Sequence, residues 1–308
     1  MYRREAIAAR IQVPHHGLDR IAAASLPYLL IAPAVLTLGF LMLYPILQVL
    51  YISVWDNFMV IKEPRFVGLG NLGWLLQQAV FPRIFSNTVI FSVASVLLHL
   101  LVGLGLAMLL TARINPRVRT LFRGIFILPW MFTAVVVALS WRLMLNPFGI
   151  FNALLAQVGL MSLEEPLNWL GEANLALPAL ILINLWRGYP FVMLMLLAAL
   201  QSVPSELYEA AGIDGAGGWQ KFLHVTIPSI MPVIASVGLL DTIWNFRQFD
   251  LVWLTTGGGP SNSTHVLGTY TYQLAFQQFE FSKASDVAIV MLVFTSFLTY
   301  FYFRFQRV

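Results

Sequence analysis

The 308-residue sequence contains no cysteine, which excludes disulfides, thiolate catalysis and Cys-ligated zinc or iron–sulfur centres, and leaves the redox compartment unread. Charge is scarce too. The 18 basic and 14 acidic side chains make 10% of the chain, against roughly 25% in soluble domains. With 59% hydrophobic residues, 14% aromatics and a mean hydropathy of +0.78, a soluble globular fold is excluded and the bilayer is the solvent. The net charge of +4 forms no basic patch of the kind nucleic acid requires. Its carriers sit in twos to fours between apolar runs and read as topology signals. There is no G-x-x-x-x-G-K-[ST], H-E-x-x-H or G-x-S-x-G, so neither P-loop ATP binding nor intramembrane hydrolysis is encoded. No nucleophile–base pair or metal-ligand cluster stands out, which ranks a membrane enzyme or scaffold last.

A bilayer core of about 30 Å needs about 20 apolar helical residues. Residues 21–55 and 84–112 are charge-free, 124–141 form a third stretch, and 173–201 are interrupted only by Arg187. Residues 229–254 hold Asp241, Arg247 and Asp250, and 287–303 form the sixth. The expectation is an all-α integral membrane protein: a cytoplasmic segment 1–20, then spans near 26–50, 84–111, 124–143, 174–201, 229–254 and 285–304. Asn146, Pro147, Gly149, Asn152 and Gln157 break the uncharged stretch 143–163, which reads as an interfacial loop with a short amphipathic helix. With the N-terminus inside, eleven Lys and Arg fall in cytoplasmic segments and five outside, with Arg187 and Arg247 within spans. Both termini are therefore expected inside. The first apolar run is too long for a signal-peptide core and is expected to stay uncleaved. No Pro-broken spans recur in two halves, which weighs against an inverted-repeat carrier.

Gly68, Gly70 and Gly73 spell G-x-G-x-x-G, but no βαβ unit surrounds them and no acidic residue follows about 20 positions on, so they read as a turn. Ser95, His99, Gly103 and Ala107 recur every four residues, a small and polar stripe suited to close helix packing. His99 reads as a hydrogen-bonded packing residue rather than a proton relay.

The segment 202–228, SVPSELYEAAGIDGAGGWQKFLHVTIP, falls between two spans on the expected cytoplasmic side. Ser205 is expected to cap a short helix with Glu206 in its first turn, stopped by Gly212 and Gly215. Trp219, Phe222 and Leu223 make an apolar stripe on a second short helix expected to end before Pro228 and Pro232. By physics alone this is equally a docking element or a solvated loop.

Glu209-Ala210-Ala211, three residues, Gly215, nine residues, then Val225-Thr226-Ile227-Pro228 resemble the EAA loop of permease subunits of binding-protein-dependent ABC importers. The resemblance continues through Leu128-Pro129, Trp186-Arg187-Gly188-Tyr189-Pro190-Phe191 and Leu254-Thr255-Thr256-Gly257-Gly258-Gly259-Pro260. It is strongest to carbohydrate importers, and within them to the first permease subunit of the maltose and glycerol-3-phosphate type. It implies the six-span type I importer permease fold, a location in the bacterial or archaeal cytoplasmic membrane, and no catalysis by this chain. The implied partners are a similar second permease, two ATPase subunits carrying the ATP and Mg, and an extracytoplasmic sugar-binding protein. It makes 202–228 a coupling loop seated in a groove of the ATPase. Glu209 is then the charged contact, Leu207, Tyr208, Ala210 and Ala211 pack, Gly215 permits the bend, and Glu206 and Asp214 flank them.

The same resemblance puts Asn184, Arg187, Gly188, Phe191, Asp241, Trp244, Asn245 and Gln248 at substrate-lining positions. The types suit a sugar: amides for hydroxyls, flat aromatic faces for a pyranose ring. Arg187 and Asp241 depart from the maltose permease pattern, which points to a different substrate. Either Arg187 meets an anionic group on the sugar or, the favoured expectation, it pairs internally with Asp241. The rival function is a secondary, ion-coupled transporter whose coupling charge is Asp241 or His99.

Overall fold

The computed structural model describes residues 17–306, positions 58, 61, 113, 114 and 163 excepted. Residues 1–16 of the expected cytoplasmic segment, and the topology signals Arg113 and Arg307, lie outside the described residues. The chain forms two units, residues 1–51 and 52–308. The first is built on helix α1 (Gly17–Ser53), whose stretch Leu26–Ser53 is apolar and long enough to cross a bilayer. Pro27, Pro33 and Pro45 lie inside it, tolerable in lipid where local adjustments satisfy the freed carbonyls.

Among its described residues the second unit has helices joined by turns and loops, no strand, and one isolated bridge between Trp55 and Phe66. Its elements are α2 (Gly70–Gln77), α3 (Phe81–Thr111), α4 (Pro116–Met131), α5 (Ala134–Met144), α6 (Ile150–Gln157), α7 (Ala173–Gln201), α8 (Ser205–Ile213) and α9 (Gly218–Lys221). A π-helical turn, Phe222–Thr226, leads into α10 (Ile227–Phe246). Then come α11 (Asp250–Thr256), α12 (Leu267–Tyr272) with a second π-turn at Gln273–Gln277, and α13 (Phe281–Gln306). α3 and α7 pack most extensively, and α10 crosses both. The small stripe permits this: Ser95, His99, Gly103 and Ala107 are all buried, and a Cβ on Gly103 would come within 2.9 Å of Val192. Three apolar clusters hold the unit: Phe91, Trp141 and Ile183; Ile84, Phe246 and Val287; and Leu110, Val192 and Val237.

Four expectations about elements are corrected. The stretch 124–143 is two helices, α4 and α5, bent by 95°; Pro129 sits in the last turn of α4 and Thr133 caps α5 by accepting from the Val136 N–H. The stretch 229–254 is also two helices, because Arg247–Phe249 leave helical geometry without a Pro or Gly to announce it. Ser205 opens α8 but caps nothing, and Gly212 lies inside the helix; only Gly215, at φ +80°, ends the segment. The second short helix does not stop at Pro228. It runs from Gly218 to Phe246 as one element, because the π-turn, closed by Ile227 N–H to the Phe222 carbonyl, precedes a proline that needs no N–H there.

Within 143–163 the short helix is α6, yet Asn152 lies inside it as a clamp, donating to the Pro147 and Leu167 carbonyls and accepting from the Trp169 indole. Gly68 turns at φ +55° before α2, and the glycine motif meets no strand among the described residues.

Candidate functional site: a polar cavity and an exposed connecting helix

All eight residues expected along the solute path line one cavity of about 480 Å³. α7 supplies Asn184, Arg187, Gly188 and Phe191, α10 supplies Asp241, Trp244 and Asn245, and the break after α10 supplies Gln248. They converge because α7 and α10 each cross α3.

The back of the cavity is a closed ring of hydrogen bonds through three helices. His99 Nδ1 lies 2.7 Å from Asp241 Oδ2, and His99 Nε2 lies 3.0 Å from the Asn184 carbonyl. Asn184 Nδ2 donates to Asn245 Oδ1 at 2.6 Å, and Asn245 Nδ2 donates to Asp241 Oδ1 at 2.8 Å. Both ring nitrogens of His99 thus face oxygens, Nε2 donating to the Asn184 carbonyl and Nδ1 sharing one proton with the Asp241 carboxyl. All four side chains are buried. Gly188 makes room: a Cβ there would overlap the His99 ring.

This ring corrects the expected Arg187–Asp241 pair. Both Asp241 oxygens are occupied, and among the described residues its ion pair is with His99. Among the described residues Arg187 makes no ion pair, and its buried Nε finds no acceptor. In front of the ring stand aromatics: Phe191 lies 4.9 Å from Trp244 and 6.0 Å from Trp130. Sequence reasoning assigned His99 to packing, which it performs, but missed that it also faces the cavity. It also missed Trp130, Arg247, Phe249 and Asp250. Trp130 directly follows the Leu128-Pro129 pair, and the intramembrane charges Arg247 and Asp250 were the available signals.

The residues expected to couple to an ATPase lie on α8 and its exit turn. Glu206, Leu207, Glu209, Ala210, Asp214 and Gly215 are exposed, while Tyr208 and Ala211 are half-buried. The Tyr208 hydroxyl meets Thr226 Oγ1 at 3.0 Å, tying α8 to the π-turn. Ile213 and Trp219 stand 88% and 70% exposed, large apolar surfaces at a corner, with the Trp219 ring tilted against Phe222 at 5.4 Å. Among the described residues, no group of three His, Asp or Glu side chains is arranged to hold a metal ion.

The chain is 34% identical over 288 residues to the trehalose/maltose transport system permease protein MalF of Thermococcus litoralis, covering 92% of this chain and 94% of the relative. It is 36% identical over 286 residues to the lactose transport system permease protein LacF of Rhizobium radiobacter, with coverages of 91% and 93%. To the sulfoquinovosyl glycerol transport system permease protein SmoG of Agrobacterium fabrum it is 31% identical over 291 residues, covering 94% and 91%. Its fold matches a chain of a bacterial ABC transporter that imports the acidic polysaccharide alginate, with TM-score 0.79 and 24% identity over 94% of this chain and 99% of that one. Residues 99–308 match the family model of binding-protein-dependent transport system inner membrane components. The ion-coupled carrier reading is thereby set aside, and the chain belongs to the binding-protein-dependent transport system inner membrane component family, a transport subunit with the type I ABC importer permease fold.

Proposed function

We propose that this chain forms half of the pore of an ATP-driven importer for a sugar or sugar derivative, with the cavity between α7 and α10 on the solute path. The observation that carries the reading is the cavity's make-up. Phe191, Trp244 and Trp130 present apolar faces suited to a pyranose ring, and Arg187 and Gln248 offer donors beside them. The printed functions of the relatives, transport of trehalose and maltose, of lactose and of sulfoquinovosyl glycerol, favour the same class of solute.

In this reading a second permease completes the pore, a binding protein delivers the sugar outside, and two ATPase subunits hold ATP and Mg. α8 faces the cytoplasm and sits in an ATPase groove, a helix-in-groove contact. Gly188 and Gln201 are 13 residues apart on α7, roughly 20 Å of helix, so a push on α8 reaches the cavity through one rigid element. The excess of Lys and Arg in the segments expected to be cytoplasmic supports an inner side for α8 and both termini.

The test is to tag the chain in its native membrane, solubilise gently and identify co-purifying proteins, with Glu209→Ala in parallel. An ATPase subunit and a second permease are expected, both recovered with the parent chain and the ATPase depleted with Glu209→Ala. Recovery of the chain alone, under conditions that keep other membrane complexes whole, would overturn the reading.

A further inference from the structure

Five titratable groups line the cavity: His99, Arg187, Asp241, Arg247 and Asp250. His99 and Asp241 share a hydrogen bond at 2.7 Å, and its proton, on either partner, leaves the pair without net charge. Arg247 and Asp250, at the exposed mouth, are opposite in sign and leave no net charge there. Arg187 remains uncompensated, with a buried Nε that has no acceptor among the described residues. A guanidinium in that position is costly in a membrane unless something anionic or water meets it. Its planar fork suits a carboxylate, sulfonate or phosphate better than a hydroxyl.

We infer that the cavity selects a solute bearing one negative charge, that Arg187 is the residue meeting the anionic group, and that His99 is a positioning residue whose ion pair keeps Asp241 from neutralising Arg187. The inference rests on the cavity being the solute path. Phe191 and Trp244 then take the ring of the same solute, and the anionic substituent points toward α7. Asp241 is a strut rather than a solute ligand, since His99 and Asn245 already use both of its oxygens.

The chain has no cysteine, so Gln248→Cys puts a single thiol on the cavity wall. In the assembled complex, labelling of this chain is followed by mass with an anionic methanethiosulfonate (sulfonatoethyl) and a cationic one (trimethylammonium-ethyl), each relative to a free thiol. The anionic reagent is expected to be favoured. Adding Arg187→Gln should cut that preference about tenfold, the effect of one charge a few ångströms away in a partly screened cavity, while Arg187→Lys should keep it. Adding His99→Leu should remove the preference by leaving the Asp241 charge unopposed, and His99→Leu with Asp241→Asn should restore it. Protection by D-glucuronate is expected to exceed protection by D-glucose at equal concentration, and the difference should vanish with Arg187→Gln.

A preference indifferent to Arg187→Gln, failure of the double variant to restore it, or equal or absent protection by the two sugars would each overturn the inference. The co-purification experiment reads the importer assignment separately, so a failure of selectivity and a failure of that assignment are told apart.

Discussion

At the scale of the residue, the cavity depends on one missing side chain. A Cβ on Gly188 would overlap the His99 ring, so Gly188→Ala must push the imidazole out of reach of Asp241 or spread α3 from α7. Overpacking of this kind costs about 1–3 kcal/mol. The expected outcome is a lower melting temperature of the purified complex together with reduced uptake. Adding His99→Ala relieves the overlap but leaves the buried Asp241 without its partner, so the stability should not recover. If Gly188→Ala melts like the parent, the contact is not tight. The sequence showed which polar residues gather, since the motifs around Trp186–Phe191 carried a family resemblance. It did not show who pairs with whom. That choice is made where three helices cross, and Asp241 meets a histidine 142 positions away on α3 rather than the arginine on α7 that charge alone suggested.

Elements were legible where periodicity or length decides and illegible where a backbone irregularity does. The long apolar stretches became α3, α7 and α13 because every backbone group in lipid must be satisfied within the helix. Pro228 looked like a terminator and is not one, since a π-turn ahead of it lets the helix run on. The break at Arg247–Phe249 carries no turn residue and follows from packing: a Cβ on Gly268 would come within 2.8 Å of the Gln248 carbonyl, so the α12 backbone fits close against it.

Two predictions belong to elements. Tyr208→Phe removes the hydroxyl that ties α8 to the π-turn, a bond contributing about 0.5–1.5 kcal/mol. Uptake in proteoliposomes should fall while ATP hydrolysis by the complex persists, because the ATPase still turns over but its motion reaches α10 less well. Equal loss of both would place Tyr208 in assembly instead. The loop between α11 and α12 holds His265, buried, with Nδ1 3.1 Å from Thr269 Oγ1 and its carbonyl accepting from Asn87. Burial holds its imidazole below the ordinary histidine value. The neutral form is thus favoured when folded, so its contribution is intact above the unfolded value of about 6.5 and is lost as pH falls below it toward the depressed folded value. His265→Gln should flatten the fall in melting temperature on that acid side. An unchanged slope would assign the pH dependence to other groups.

At the scale of the whole molecule, apolarity and the EAA spacing made the class readable, while the described helices give five apolar spans, or six with the bent pair α4–α5 taken as one, and the chain describes only its share of a pore. In the helix Gly218–Phe246, 17% of the most apolar window is buried within this chain, against 50% for α7. Yet the same helix carries Asp241, Trp244 and Asn245 into the cavity. Leu240 and Trp244, 44% and 51% exposed, lie four positions apart on one face, so the side of α10 next to the cavity is open. Lipid tails against that opening would set hydrocarbon beside Arg187, which is unfavourable. A second permease subunit there would supply polar groups and close the path. The discriminating measurement uses a spin label on Leu240→Cys in the otherwise cysteine-free chain, comparing collision with oxygen, which dissolves in lipid, in the isolated chain and in the assembled complex. Oxygen accessibility is expected to be high in the isolated chain and to drop several-fold on assembly. A label that stays equally accessible in both would show that this face of α10 meets lipid, and would move the partner's contact, and the second wall of the cavity, to another helix.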